Sequence, residues 1–325
     1  MAADAGTVGA MAPVKLPGQQ LARTYSAAEV SAFERTGGDP AVLAYWTPKR
    51  MAAAKPLNAP ADAKAVHRAV QAVTRKLPGS VTPAAPSKLS TRTAASPAAV
   101  TNFSITNGKL FIDGYESGSW CSASAINTPS RRLVVTAGHC VHGGSGGTWR
   151  SNLVFVPGYN ALAADHAPVG VFQAFFLRTF SAWSEESDLN RDVGFVTTYN
   201  GGDANRTVVD TVGGHGSSFN GGTEFEVSIF GYPSNRDGGN KMWACWGLAT
   251  DSSASDDISK IACNFGPGSS GGPWLWEYDN STGLGKVRSV MSTIDGLGVN
   301  RGPYFDTAVR DLRDLADRDW DTHQP

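Results

Sequence analysis

Apolar and polar positions alternate differently in three parts of this chain. From about residue 102 to 307, short apolar runs are broken by clusters of glycine, proline and aspartate, which is the signature of short strands joined by turns. Strands are predicted at 109–113, 133–136, 153–157, 170–178 and 193–199 in the first half of this stretch. The second half supplies 224–231, 244–249, 273–277, 287–292 and 303–306. Beyond them, Val309, Leu312, Leu315 and Ala316 recur at helical spacing, predicting a closing helix over about 307–318 capped by Asp306 or Thr307.

The first hundred residues follow another pattern. Ser26 and Glu29 form a capping-box signature that opens a short helix through Phe33 and Glu34, and Thr47-Pro48 reads as a second helix start. Val66, Val70 and Val73 predict a third helix within 61–76. From 78 to 100 the chain is mostly Pro, Ala, Ser and Thr, dotted with Lys88 and Arg92, a composition that reads as a linker.

Composition narrows the class. Hydrophobic residues make up 41% and charged residues 18% of the 325, and the 37 glycines suit many turns. The formal net charge of −1 carries no basic footprint, so nucleic acid is not an expected partner. No apolar run is long enough to span a bilayer, so no membrane partner is expected. The N-terminus has no basic segment followed by an apolar core, so a signal peptide is read as absent from this sequence. The cysteines at 121, 140, 245 and 263 allow three pairings; a zinc site with His139 is disfavoured because no C-x-x-C spacing exists.

The sharpest chemical signal is Gly268-Ser269-Ser270-Gly271-Gly272-Pro273. Glycines let the chain turn tightly enough to present Ser270 while backbone N–H groups converge on one point, as an oxyanion requires. Serine alone is a weak nucleophile and needs a base. The apolar run 133–135 leads into Thr136-Ala137-Gly138-His139-Cys140, delivering His139 at a strand end. Asp192 opens the apolar run at 193–196 and is preferred over Asp188 as orienting acid, because a strand start holds a carboxylate better than a loop does.

The order His139, Asp192, Ser270 is one of the known orders of the serine–histidine–aspartate triad. Together with CSASAI from Cys121, LVVTAGHC, DVGFV and GPGSSGGP, it makes the stretch from about Gly108 to Arg313 resemble the chymotrypsin-like serine peptidases. Within them it is most similar to secreted bacterial trypsin-like and glutamyl-endopeptidase-like enzymes. The resemblance implies an all-β fold of two antiparallel Greek-key barrels, about 102–210 and 211–307, with the active site between them. It also implies a C-terminal helix packed on the second barrel; the strand pattern alone allows a single sandwich as well. His139 becomes general base and acid, Asp192 the orienting acid, and Gly268 and Ser270 the oxyanion donors.

The resemblance also implies a Cys121–Cys140 bridge beside the histidine, which leaves Cys245 with Cys263. Paired cysteines imply an oxidising compartment and hence secretion. It puts Asn264 near the base of the specificity pocket, Ser292, Thr293 and Ile294 along one wall, and Gly302 opposite. Three departures matter. Ser269 stands where trypsin-type enzymes carry an aspartate, so activation through an amine–aspartate pair is not expected. Asn264 offers no carboxylate for a basic side chain, and Met291 stands where glutamate-specific relatives place a histidine. An uncharged side chain of medium to large size is the expected preference.

The YWTPKRM run at 45–51 resembles the pro-regions of secreted peptidases, so residues 1–101 read as a partly helical pro-segment and linker ahead of the peptidase domain at 102–325. It would act in cis on a monomeric endopeptidase cleaving proteins or peptides, with processing within 78–107. No metal or cofactor is expected. The competing class is an inactive peptidase-fold binding protein. His142, His166 and His215 are read as surface or loop residues, Trp243, Trp246, Trp274 and Trp276 as core, and Asp256-Asp257 as a solvated pair.

Overall fold

The computed structural model describes residues 18–20, 26–64, 79–84, 99–112, 118–252 and 258–322. Most of the helix expected at 61–76, the basic residues Lys88 and Arg92, and Asp256-Asp257 lie outside these residues.

The N-terminal part contributes three short strands, β1 (Gly18–Gln20), β2 (Lys55–Pro56) and β3 (Gly79–Val81). Strands β4 (Asn107–Ile112), β5 (Ser119–Ala125), β6 (Leu133–Thr136), β7 (Val154–Pro157), β8 (Phe172–Thr179) and β9 (Gly194–Thr198) follow. They pair in the cycle β4-β5-β6-β9-β8-β7 and back to β4, all antiparallel, which closes a six-stranded barrel. Closure removes exposed edges.

Period-2 patterning is visible once both faces are followed. Leu110 and Ile112 point to an interior shared with Cys121, Ala123, Val134, Leu153 and Phe155. Phe111, Trp120, Val154 and Val156 face outward, where Trp46 and Met51 of the N-terminal part cover them. The barrel is therefore buried on both faces along these strands, which blurs the alternation expected of a half-exposed sheet.

In the second half, β10 (Gly216–Phe219), β11 (Phe225–Gly231), β12 (Trp243–Asp251), β13 (Ile258–Ile261), β14 (Pro273–Asp279), β15 (Leu284–Val290), β16 (Thr293–Ile294) and β17 (Asn300–Pro303) form one sheet. Its order is β16-β17-β13-β12-β11-β14-β15-β10-β3. The pair β10·β15 is parallel, and the outer strand β3 comes from the stretch that composition marks as a linker. Val81 pairs with Ser217 there, so backbone hydrogen bonding to an available edge overrides a composition that could not build a core alone.

The closing helix spans Thr307–Asp317, capped by the Asp306 carboxylate, which accepts from the Val309 N–H. Its apolar stripe joins Val193, Phe195, Phe219 and Phe305. The helix is therefore wedged between the halves rather than resting on the second alone. Thr197 donates its hydroxyl to the Ala316 carbonyl, and Arg178 pairs with buried Asp319 just beyond. Both N-terminal helix signals are realised: Ala27–Thr36 carries the complete Ser26–Glu29 capping box, and Pro48–Ala53 starts at the Thr47 cap. A helix at Pro40–Tyr45, capped by Asp39, lies between them.

Trp274 is in the core as expected, with Trp243 and Trp276 packed half-buried against its cluster. Other expectations need correction. Trp246 is exposed, because on β12 it points to the outer face. His215 is wholly buried. Its Nε2–H donates to Asn107 Oδ1 at 3.0 Å while Nδ1 accepts from the Gly285 N–H at 3.2 Å, a pairing that suits neutral imidazole. His142 is buried as well, and burial, then the Arg150 charge, lowers its pKa. His166, by contrast, is a half-buried loop residue as expected. The strand expected at 303–306 ends at Pro303.

Candidate active site

Strand β6 delivers its histidine as the sequence predicts. The chain leaves Thr136 and enters a one-turn helix, Gly138–Val141, that carries His139. Cys140 in that turn is bonded to Cys121 on β5, fixing the turn to the barrel wall. Asp192 precedes β9, the neighbour of β6, and so arrives beside the same turn.

Its carboxylate accepts three bonds. The His139 backbone N–H donates to Oδ1 at 2.8 Å, His139 Nδ1–H donates to Oδ2 at 2.8 Å, and the Ser292 hydroxyl donates to Oδ2 at 2.6 Å. Both His139 and Asp192 are fully buried. The three donors satisfy the buried carboxyl group, and the bond from Nδ1–H assigns the imidazole the tautomer with Nε2 unprotonated. That Nε2 is buried and makes no hydrogen bond among the described residues, so it is open as a proton acceptor. The indole of Trp183, centred 6.0 Å from the imidazole, walls its side. Asp188 does not join this group: its carboxylate caps the 3-10 turn Leu189–Arg191 by accepting from the Asn190 N–H.

The serine turn is pressed against the same wall. Gly271 has φ +79°, and a Cβ there would come within 2.0 Å of Thr136 Oγ1 and 2.8 Å of the Ala137 nitrogen. The turn can therefore approach the end of β6, three residues from His139, only with glycine at this position. The Ser270 carbonyl accepts from the Ser122 N–H at 2.7 Å, and the Ser122 hydroxyl donates to the Gly268 carbonyl at 2.9 Å. Ser269 donates its hydroxyl to the Gly266 carbonyl at 2.7 Å, so the uncharged residue before Ser270 is tied within its own loop. Among the described residues no hydrogen bond joins the Ser270 hydroxyl to His139 Nε2; a serine on a glycine turn near a base with an open nitrogen is an arrangement that acyl transfer can use.

The four other residues expected to line the pocket lie at one end of the second sheet. The Asn264 N–H donates to the Gly298 carbonyl, and Thr293 and Ile294 pair with Arg301 and Asn300. Gly302 lies behind, paired with Ser259 on β13. Asn264 is exposed at its side chain. Sequence reasoning missed three contributors. Ser292, read as a wall residue, holds Asp192. Buried Asn300 clamps Phe265 by accepting from its N–H and donating to its carbonyl. Ser122, inside the CSASAI run, braces the serine turn. A hollow of about 480 Å³ lined by Phe103, Ile105, Tyr159, Met242 and Trp243 contains none of these residues.

Cys121, His139 and Cys140 also offer atoms within 4.8 Å of one another, but both sulfurs are in the disulfide and cannot act as thiolate ligands. The second bridge joins Cys245 and Cys263.

No protein-family model matches the chain, and no curated protein matches it in sequence. Solved structures do. A thermostable serine protease, AL20, from an extremophilic microorganism is similar with a TM-score of 0.60 at 29% identity, over 66% of this chain and 97% of the other. The protease Anisep from Arthrobacter nicotinovorans gives 0.60 at 29%, over 67% and 98%. A Glu endopeptidase gives 0.53 at 18%, over 69% and 95%, a likeness of fold alone.

Proposed function

We propose that this chain, whose fold is that of the chymotrypsin-like serine peptidases and whose structural neighbours are serine proteases, is a secreted endopeptidase that works through an acyl-enzyme on Ser270. The observation that carries this is the Ser292–Asp192–His139 chain, which ends on a free, buried Nε2. In the proposed reaction, Nε2 takes the Ser270 hydroxyl proton as Oγ adds to the scissile carbonyl. The Gly268 and Ser270 N–H groups hold the resulting oxyanion. The C–N bond then breaks as His139 returns the proton to the leaving amine, and water repeats the sequence to free the acyl group.

Secretion is supported by the two disulfides. Among the described residues no helix is long and apolar enough to cross a membrane. Latency is supported by the position of the N-terminal part, which packs on the barrel and donates β2 to β5 beside the serine turn. The uncharged pocket residues favour uncharged side chains. The test is hydrolysis of a mixed peptide library by the secreted, processed species. Cleavage after medium or large uncharged residues, lost in Ser270→Ala, is the expected result. Cleavage confined to Lys, Arg or Glu sites would overturn the specificity, and activity surviving Ser270→Ala would overturn the mechanism.

A further inference from the structure

The Gly268 N–H must be free when an oxyanion forms; here it donates to the Leu57 carbonyl at 2.9 Å. The Leu57 N–H in turn donates to the Trp120 carbonyl at 2.9 Å, and the Lys55 N–H to the Gly118 carbonyl at 3.1 Å. Residues 55–57 thus lie parallel along β5 at the edge of the serine turn. Further on, the Lys64 N–H donates to the Ser187 carbonyl and the Leu189 N–H to the Lys64 carbonyl, at 3.3 and 3.0 Å. The segment 57–64 therefore spans from the serine turn to the loop that leads into Asp192. Near it, His139 is 0% and Ser270 3% exposed, an enclosure that no peptide substrate could enter without displacing something.

The register is not that of a substrate. Leu57 takes an oxyanion donor with its carbonyl, but its side chain joins the cluster of Cys121, Ala137, Cys140 and Val141 in the first barrel. The Leu57 carbonyl is thus held without its side chain in the pocket that would align the bond for attack.

The anchors of this segment lie upstream of Leu57, on the first barrel. The Trp46 indole N–H donates to the Asn152 carbonyl at 2.6 Å, with its ring centred 5.3 Å from Phe111. Glu34 pairs with Arg132 at 2.6 Å and accepts from the Asn200 N–H at 3.1 Å. Val30 packs into the cluster of Phe175, Phe176 and Tyr199. A chain cut after Lys64 removes none of these contacts.

We propose that residues 26–64 are a peptide inhibitor seated in cis, latched by the Leu57 carbonyl on Gly268, and that they stay seated after the chain is cut downstream. Activation is then removal of the segment, not the cut itself. This rests on the peptidase reading above.

The test follows fluorophosphonate labelling in the full-length chain, in Leu57→Asp, which forces a charge into an apolar cluster, in Trp46→Ala, and in Ser270→Ala as the blank. Wild-type chain cut downstream by an added protease is the fifth species, checked for co-elution of its fragments. Both segment variants should label at least about tenfold faster than wild type, equivalent to roughly 1.4 kcal/mol of lost latch. The cut chain should co-elute and label as slowly as the intact one. Wild type labelling as fast as Leu57→Asp overturns the latch, and fast labelling of a cut, co-eluting complex overturns retention. If the variants melt cooperatively yet label slowly, and labelling appears only after the segment is digested away, the Leu57 latch falls while the peptidase reading stands. If nothing labels even then, both fall.

Discussion

The Ser292 hydroxyl lies 2.6 Å from Asp192 Oδ2, so a residue of the second half steadies the carboxylate that orients His139 in the first. The site is thus assembled across both halves through its acid as well as through its serine. Replacing Asp192 by Asn is expected to lower kcat by ~10^4, because the amide offers the wrong partner to Nδ1. Ser292→Ala removes one of three donors and is expected to cost about tenfold in kcat, roughly 1.4 kcal/mol, with KM little changed. Asp188→Asn is expected to change kcat by less than about threefold, since Asn caps a helix nearly as well as Asp. Steady-state kinetics on the processed enzyme check all three.

The serine turn tolerates no side chain at Gly271. Left-handed backbone costs an ordinary residue about 1–2 kcal/mol, and the clash with Thr136 Oγ1 and the Ser122 carbonyl adds about 1–3 more. Gly271→Ala is therefore expected to lose roughly 2–5 kcal/mol in denaturant unfolding. Gly296 supplies the control, because a Cβ added there would meet nothing within 4 Å. Gly296→Ala should stay within about 0.5 kcal/mol.

How much of this was legible in the sequence depended on side-chain chemistry rather than on position. The strand at 133–136 matched residue for residue, because Leu133, Val134 and Val135 are strong strand formers ahead of a conspicuous histidine. Strand β5 was missed, since Ser119-Trp120-Cys121-Ser122-Ala123-Ser124-Ala125 is mostly small residues with weak strand preference, held by neighbours on both sides. Three of the short strands that close the second sheet, β10, β13 and β16, were missed for similar reasons of length and composition. In the site, motifs named His139, Asp192 and Ser270 directly. Ser292, Asn300 and Leu57 act through hydrogen bonds to partners far away in the chain, and no local pattern announces those.

His215 gives the protein an acid-labile point. Burial lowers its pKa from the ordinary 6.5 to about 3. The unfolded chain therefore takes up a proton below pH 6.5 that the folded chain refuses until pH 3, so this contribution to stability falls as the pH drops through that window. Between pH 6.5 and 4.5 the loss is expected to reach roughly 2.3 kcal/mol, the slope rising from half of about 1.36 kcal/mol per unit at pH 6.5 to nearly all of it by pH 5. His215→Gln, which does not titrate, should lose that much less over the same interval in chemical denaturation.

The two disulfides are expected to differ in what their loss does. Sequence separations of 19 and 18 residues predict about 3 kcal/mol for each by loop closure. Replacing Cys245 and Cys263 by Ala should lower stability by that amount while sparing kcat. The same change at Cys121 and Cys140 should lower kcat as well, because it frees the turn that carries His139. Melting curves and turnover, measured on both double variants, separate the two effects.

The central claim is that Ser270 is a nucleophile activated by His139. Its most direct test is the site of fluorophosphonate attachment in the processed enzyme, read by peptide mass mapping. The account predicts one adduct, on Ser270, lost in His139→Ala. An adduct on another residue, or undiminished labelling of Ser270 without His139, would contradict it.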